Sequence, residues 1–162
     1  MFNKIIAGSV AYVMLSFIVS VYAQACPPGW SLAPDNTCVI IGPNTGMTYG
    51  AALAYCKNTY GAHLITDKNS MKNTFLTTLF ASANLGGSAW LWTTRVDIGD
   101  NKSTSFIWSD GDNMTMYNNF ASTDPNNAGG NQICVWAYIP NGNQWYDDTC
   151  SDTQWSGNNI IA

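Results

Sequence analysis

The stretch from Trp108 to Cys150 limits what this chain can become more than any other part of it. It reads Trp108-Ser-Asp-Gly111, then Tyr117-Asn-Asn-Phe120, Asp124-Pro125-Asn126-Asn127, Cys134-Val-Trp136, and finally Gln144-Trp145-Tyr146-Asp147-Asp148 before Cys150. Aromatic residues open and close the stretch, and its middle is glycine, asparagine and aspartate around one X-Pro bond. Each of those residue types favours turns, so the middle forms neither a regular helix nor a long strand. It is an excursion from a core, built to present side-chain oxygens, with a cysteine at each edge of its final part.

The rest of the chain supplies that core. The protein has 162 residues, 46% of them hydrophobic and 13% aromatic, enough for one well-packed domain. Six Lys and Arg stand against ten Asp and Glu, a net charge of −4. No basic surface exists to neutralise phosphates, which excludes nucleic acid and anionic membranes as natural partners. Asn, Thr, Ser and Gly must cover the surface instead. That cover suits neutral polar ligands such as sugars, and it also serves extracellular domains for solubility alone.

Residues 1–23 carry Lys4 as their only charge, followed by an apolar run from Ile5 to Tyr22 and a small-residue site at Val21-Tyr-Ala23. This is the pattern of a secretory signal peptide. The alternative, a membrane anchor, is disfavoured by Ser9, Ser16 and Ser20 and by the cleavage site. The expectation is a secreted, extracellular protein, free of the membrane after cleavage, whose domain occupies residues 24–162 and whose disulfides persist. Asn101-Lys-Ser103 and Asn113-Met-Thr115 are acceptor motifs for glycosylation.

Cys26 and Cys38 flank a Pro- and Asn-containing turn and read as a hairpin closed by a disulfide. From Thr48, a cap candidate, Tyr49, Ala52, Leu53 and Cys56 fall at helical spacing. A second helix is predicted from about Asn69, with Met71, Phe75, Leu76, Leu79 and Phe80 on one face. His63, the sole histidine, is expected to pack beside Leu64. With one histidine, any Ser-His or Cys-His dyad must use His63, and histidine-rich zinc sites are excluded. Gly86-Gly-Ser-Ala-Trp90 turns into a strand, Phe106–Trp108 forms the next, and Ile133 to Tyr138 is apolar on both sides, as a central strand is. After Pro140-Asn-Gly142-Asn, the strand around Trp145 should pair back beside it.

In this order and spacing the landmarks resemble the C-type lectin-like domain. That family has a Trp-Ser-Asp-Gly-like start to its long loop, a Glu-Pro-Asn or Gln-Pro-Asp tripeptide, a Trp-Asn-Asp before its penultimate cysteine, and a helix, Gly-x-His-Leu, helix passage. The resemblance implies an α+β fold, two helices packed on antiparallel sheets with a long ligand-binding loop, stabilised by disulfides. Trp92 stands where the family's Trp-Ile-Gly has its glycine, so packing there must differ. Five cysteines allow fifteen ways to form two bonds. The family pattern implies Cys26 with Cys38 and Cys134 with Cys150. Cys56 is then left over, either as a buried small hydrophobe or as a bond between two chains in a dimer. Its usual partner near the carboxyl terminus is missing, which predicts a looser terminal strand.

Carried over residue by residue, the resemblance implies a calcium site at Asp124, Asn126, Gln132 and Asp147, with a cis bond before Pro125. Carbohydrate would bind Asp124, Asn126, Gln132, Tyr146 and Asp147. Gln132 stands where the family has an acid and Tyr146 where it has an amide ligand; Asp148 could substitute if the loop shifts. With fewer charged ligands the site should be weak, roughly 10⁻⁴ to 10⁻³ M. Acid before amide in Asp124-Pro125-Asn126 resembles mannose-type members, implying mannose, glucose, N-acetylglucosamine or fucose. Two other classes stay open: a calcium-independent protein-binding or matrix component whose polar loop is only a hydrogen-bonded turn network, and, against the family's non-catalytic habit, a hydrolase using Asp124 and Asp147.

Overall fold

The structure is a computed structural model that describes residues 25–83, 90–97, 106–108, 117–153 and 158–161. The signal-like segment, the Ser-Asp-Gly turn after Trp108, the Gly86-Gly turn and both acceptor asparagines lie outside the described residues. The chain starts with a short hairpin, β1 (Ser31–Leu32) and β2 (Cys38–Asn44), in which Ser31 faces Val39 and Leu32 faces Cys38. The Cys26–Cys38 disulfide closes it. Helix α1 (Tyr49–Tyr60) begins at Thr48, whose hydroxyl accepts from the Ala51 N–H at 3.2 Å. It ends at Gly61, whose positive φ of 66° a glycine adopts without steric cost. Helix α2 (Ser70–Ser82) begins at Asn69, whose side chain accepts from the Lys72 N–H at 2.9 Å. Among the described residues no helix is long and apolar enough to cross a membrane.

Four strands form the main sheet: β3 (Trp90–Asp97), β4 (Phe106–Trp108), β5 (Cys134–Tyr138) and β6 (Gln144–Asp148). All pairings are antiparallel in the order β4-β3-β5-β6, with β5 inside as its double-sided apolar pattern predicted. The carboxyl-terminal strand β7 (Asn158–Ile161) pairs antiparallel with β2 in a separate sheet, without a disulfide.

Alternation along β5 explains why both of its faces are apolar. Val135 and Ala137 pack with Trp145 and with Leu76 and Phe80 of α2. Cys134 and Trp136 pack with Trp92 and with Ala52 and Cys56 of α1. Each helix covers one face. Trp92 lies opposite Trp136 in register and stacks on it with ring centroids 3.4 Å apart, so the ring fills the space a glycine would leave. Its indole N–H donates to the Met47 carbonyl at 2.9 Å.

Cys134 is bonded to Cys150, and Cys56 is fully buried with its thiol pushed up to about 11 by burial. A thiol with no exposed surface cannot reach a second chain, so Cys56 is the buried small hydrophobe. Three expected positions differ. Met71 is 65% exposed, because the buried stripe of α2 is Lys72, Asn73, Leu76 and Phe80, nearly opposite it. Ile133 precedes β5 and is 49% exposed. His63 is exposed with its Nδ1 2.7 Å from the Leu64 carbonyl oxygen; on extended backbone its side chain points away from buried Leu64.

Candidate functional site

Trp145 is the anchor of the long loop. It is fully buried and meets Trp108, Tyr117 and Phe120 edge to face, with centroids 5.5 to 5.8 Å apart. Such contacts suit the aromatic quadrupole. The backbone reinforces them: the Trp145 N–H donates to the Asn119 carbonyl at 2.8 Å and the Ala121 N–H to the Trp145 carbonyl at 3.0 Å. The returning loop is therefore laid parallel to β6, bridged at Phe120 and Trp145. From there Asp124 and Asp147 lie close together.

The Asp124-Pro125 bond is cis, as the resemblance implied. Beyond it the loop folds around Asp147, which is only 3% exposed. The Asn126 N–H reaches both carboxylate oxygens at 3.0 and 3.1 Å, and the Asn127 N–H donates to Oδ2 at 2.7 Å. Asn127 adopts a left-handed conformation, φ 48°, which asparagine tolerates, and leads into a 3-10 turn over Ala128–Gly130. The Ala128 N–H lies 2.8 Å from Asn126 Oδ1 and 2.6 Å from Gln132 Oε1, so both amide oxygens converge on it. The Gln132 N–H donates to Asn127 Oδ1 at 3.1 Å. Asp124 accepts from the Thr123 hydroxyl at 2.6 Å and from Asn126 Nδ2 at 3.2 Å.

Asp124, Asn126, Gln132 and Asp147 thus form one hydrogen-bonded cluster. Burial pushes the Asp124 carboxyl above its usual range; Thr123 and Asn126 oppose the shift, and the neighbouring Asp147 carboxylate adds to it. Every side-chain donor atom offered to an ion is oxygen, the chemistry of hard cations. Among the described residues no three His, Cys, Asp or Glu side chains form a metal-ligating group, so an ion here would lean on amide oxygens. The set fits a hard cation with two carboxylates and two amides.

Tyr146 and Asp148 are not brought to the cluster. Along β6 the buried side chains are Trp145 and Asp147, and the alternate face carries Gln144, Tyr146 and Asp148. The Tyr146 hydroxyl accepts from Asn141 Nδ2 at 3.3 Å, by the β5–β6 turn. Asp148 accepts from the Trp136 indole N–H at 3.0 Å and the Thr149 N–H at 2.6 Å, and burial pushes its pKa up. Neither stands where the loop's other oxygens converge.

Sequence reasoning missed a second polar group beneath the loop. Asp67, Asn73 and Asn143 are buried, and both amides donate to Asp67 Oδ2, Asn73 at 2.8 Å and Asn143 at 2.7 Å. Asn73 lies at the edge of the apolar stripe of α2, beside Leu76 and Phe80, and no local pattern marks it as buried.

The model of the lectin C-type domain matches residues 45–155, more than two thirds of the chain. The chain belongs to the C-type lectin domain family. As a lectin domain it is similar to a lectin of Pleurodeles waltl, 28% identical over 153 residues that cover 86% of each chain. Among solved structures it is similar to the C-type lectin CEL-I from Cucumaria echinata, with a TM-score of 0.67 and 19% identity over 84% of this chain and 95% of that one. It is also similar to a calcium-independent type II antifreeze protein, with a TM-score of 0.64 and 23% identity over 85% and 92% of the two chains. The hairpin closed by Cys26 and Cys38 precedes the matched segment, and β7 follows it. The family assigns this lectin domain to carbohydrate or protein binding.

Proposed function

We propose that the chain is a secreted, calcium-dependent carbohydrate-binding module with a mannose-type preference. The observation that carries this reading is the gathering of Asp124 and Asp147 with the amide oxygens of Asn126 and Gln132 in one loop. Two carboxylates this close repel each other, and a cation between them relieves the repulsion. Asp124, Asn126, Gln132 and Asp147 would hold the calcium ion, which when bound offers coordination positions to two vicinal sugar hydroxyls. Asp124 would then accept a hydrogen bond from one hydroxyl, and Asn126 Nδ2 would donate one to a hydroxyl oxygen. Acid before amide in Asp124-Pro125-Asn126 supports mannose, glucose, N-acetylglucosamine or fucose as the sugar. The signal-like segment at residues 1–23 and the two disulfides support secretion, with Asn101 and Asn113 as glycosylation acceptors.

A second reading, calcium-independent binding of a protein or matrix partner, is favoured by a different observation. The loop already satisfies itself: Asp147 takes two backbone N–H donors, and Asn126 and Gln132 share a third. A fold neighbour described as calcium-independent shows that the scaffold exists in that form. Retention on immobilised mannose in a few millimolar calcium, followed by a chelator wash, separates the two. Retention with release on chelation, abolished in Asn126→Ala, supports the lectin mechanism. No retention, with a melting temperature indifferent to calcium, moves the protein to the second reading.

A further inference from the structure

We infer that a polar relay, buried Asn73, Asp67 and Asn143 with half-buried Asn119, sets the spacing of the two carboxylates of the candidate site. The inference rests on the reading of that loop as a cation site, and it names residues that touch neither ion nor sugar. Asp67 is 1% exposed, and its Oδ2 accepts from Asn73 of α2 and from Asn143 of the β5–β6 turn. A carboxylate only accepts, so it fixes the orientation of both amides. Asn143 is fully buried and holds a left-handed conformation, φ 58°, that directs its carbonyl to the next member. Asn119 Nδ2 donates to that carbonyl at 2.7 Å and to the Gly142 carbonyl at 3.1 Å.

Asn143 and Asn119 join the bases of the two segments that carry the acids. From Asn143 the chain runs through Trp145 to Asp147. From Asn119 it runs through Ala121 to Asp124. The two paths are tied to each other only one or two residues later, by the Trp145 bonds to Asn119 and Ala121. Asp147 is set by the β5–β6 ladder, where it faces Val135, so the relay acts from the loop side: it fixes against β6 the stem that carries Asp124. Releasing Asn119 leaves two carbonyls of the turn without that donor and frees the loop's stem to shift along β6. The spacing of Asp124 and Asp147, and with it affinity for a cation, then changes although no ligand has been removed. Partners that orient metal ligands in this manner are worth about 10- to 100-fold in affinity when lost.

The test uses Asn119→Ala, which removes the donor, and Asn143→Gly, which keeps the left-handed backbone and removes only the amide. Asp35→Ala, which breaks the ion pair to Lys72 of α2 and removes none of the relay's hydrogen bonds, serves as the destabilised control. Amide hydrogen exchange at Asn126 and Asn127, whose N–H groups are held by Asp147, reports loop geometry without any metal, and titration with calcium chloride reports affinity. Both relay variants should exchange at least about tenfold faster at those two amides and bind calcium about tenfold more weakly, while Asp35→Ala changes neither. Unchanged protection in the relay variants, equal acceleration in Asp35→Ala, or calcium bound as tightly as by the wild type overturns the inference. Wild-type protein that takes up no calcium, together with accelerated exchange in the relay variants alone, removes the cation reading and upholds the relay as the device that positions the loop.

Discussion

At the junction of the amino-terminal hairpin with α2 a carboxylate faces an ammonium; in the long loop a carboxylate faces another carboxylate. Lys72 is fully buried, and its Nζ donates to Asp35 at 2.7 Å and to the Thr37 hydroxyl at 2.9 Å. Burial pushes the Asp35 carboxyl up, but the hydrogen bonds and charge of Lys72, with help from Thr37, outweigh it and hold the carboxyl below its ordinary value. At Asp124 burial also pushes up, and there the neighbouring charge is Asp147, so the shift stays upward. The first acid has its counter-charge within the fold; among the described residues none stands beside the second. A pair that is complete stabilises a structure, whereas a pair of like charges held together by a loop is a place for something else to bind.

The largest effect expected from this contrast is at the hairpin. Asp35→Ala leaves the Lys72 ammonium buried without its counter-charge and should cost about 3 kcal/mol of unfolding free energy. Lys72→Met, which replaces the charge with an apolar chain of similar size, should cost less, since the Asp35 carboxylate it leaves behind is part-exposed and water can solvate it, whereas the ammonium left by Asp35→Ala is fully buried. Denaturant melts of both variants check this. Equal losses would mean that the pair is not the complete one described here.

Calcium should act only at the other region. At a few millimolar calcium and the affinity range of extracellular sites, stabilisation through binding comes to about 1 to 2 kcal/mol. A calcium-dependent rise in melting temperature that survives in Asp35→Ala and disappears in Asp147→Asn sharpens the contrast. A rise that persists without Asp147 breaks it, because the ion would then lie elsewhere.

How much of this was legible in the sequence follows from which physical signals are local. The cap at Thr48, the start of the second helix at about Asn69, the doubly apolar strand at Cys134–Tyr138 and the hairpin between Cys26 and Cys38 are written in a few adjacent residues, and the structure has them. Family pattern, rather than spacing, gave the Cys134–Cys150 pairing. The face of β6 was legible in principle: strict alternation with buried Trp145 puts Asp147 on its side and Tyr146 on the other. Lys72 and Asn73 were not legible as buried groups, because their partners Asp35, Asp67 and Asn143 are distant in sequence. Buried polar residues announce themselves only through such partners. Met71 was misplaced because the buried stripe of α2 runs through Lys72 and Asn73, which give no apolar signal at helical spacing.

The smallest expected effect also separates the two acids most directly, because their linkage to pH has opposite signs. For Asp35 the folded-state pKa is depressed, so its contribution is fully present above the unfolded value near 3.8 and is lost as pH falls through the lower folded value. For Asp124 the folded-state pKa is raised, so between 3.8 and that raised value the folded chain holds more protons than the unfolded one. Lowering the pH through that window in chelator therefore adds stability, and raising it removes stability. Asp148 is raised as well and adds to the same rise, so the difference between wild type and Asp124→Asn isolates Asp124. In chelator at neutral pH, Asp124→Asn should be more stable than wild type by well under 1 kcal/mol, the scale of partly exposed charge pairs. That advantage should shrink as the solution is acidified toward pH 4, while Asp35→Asn keeps the wild-type slope above 3.8 and loses the steep fall below it. Calcium inverts the first result: with the ion bound, acid competes for Asp124, and the wild type loses stability over the window in which it gained some without the ion. An acid response that is the same with and without calcium would mean that no ion bridges Asp124 and Asp147.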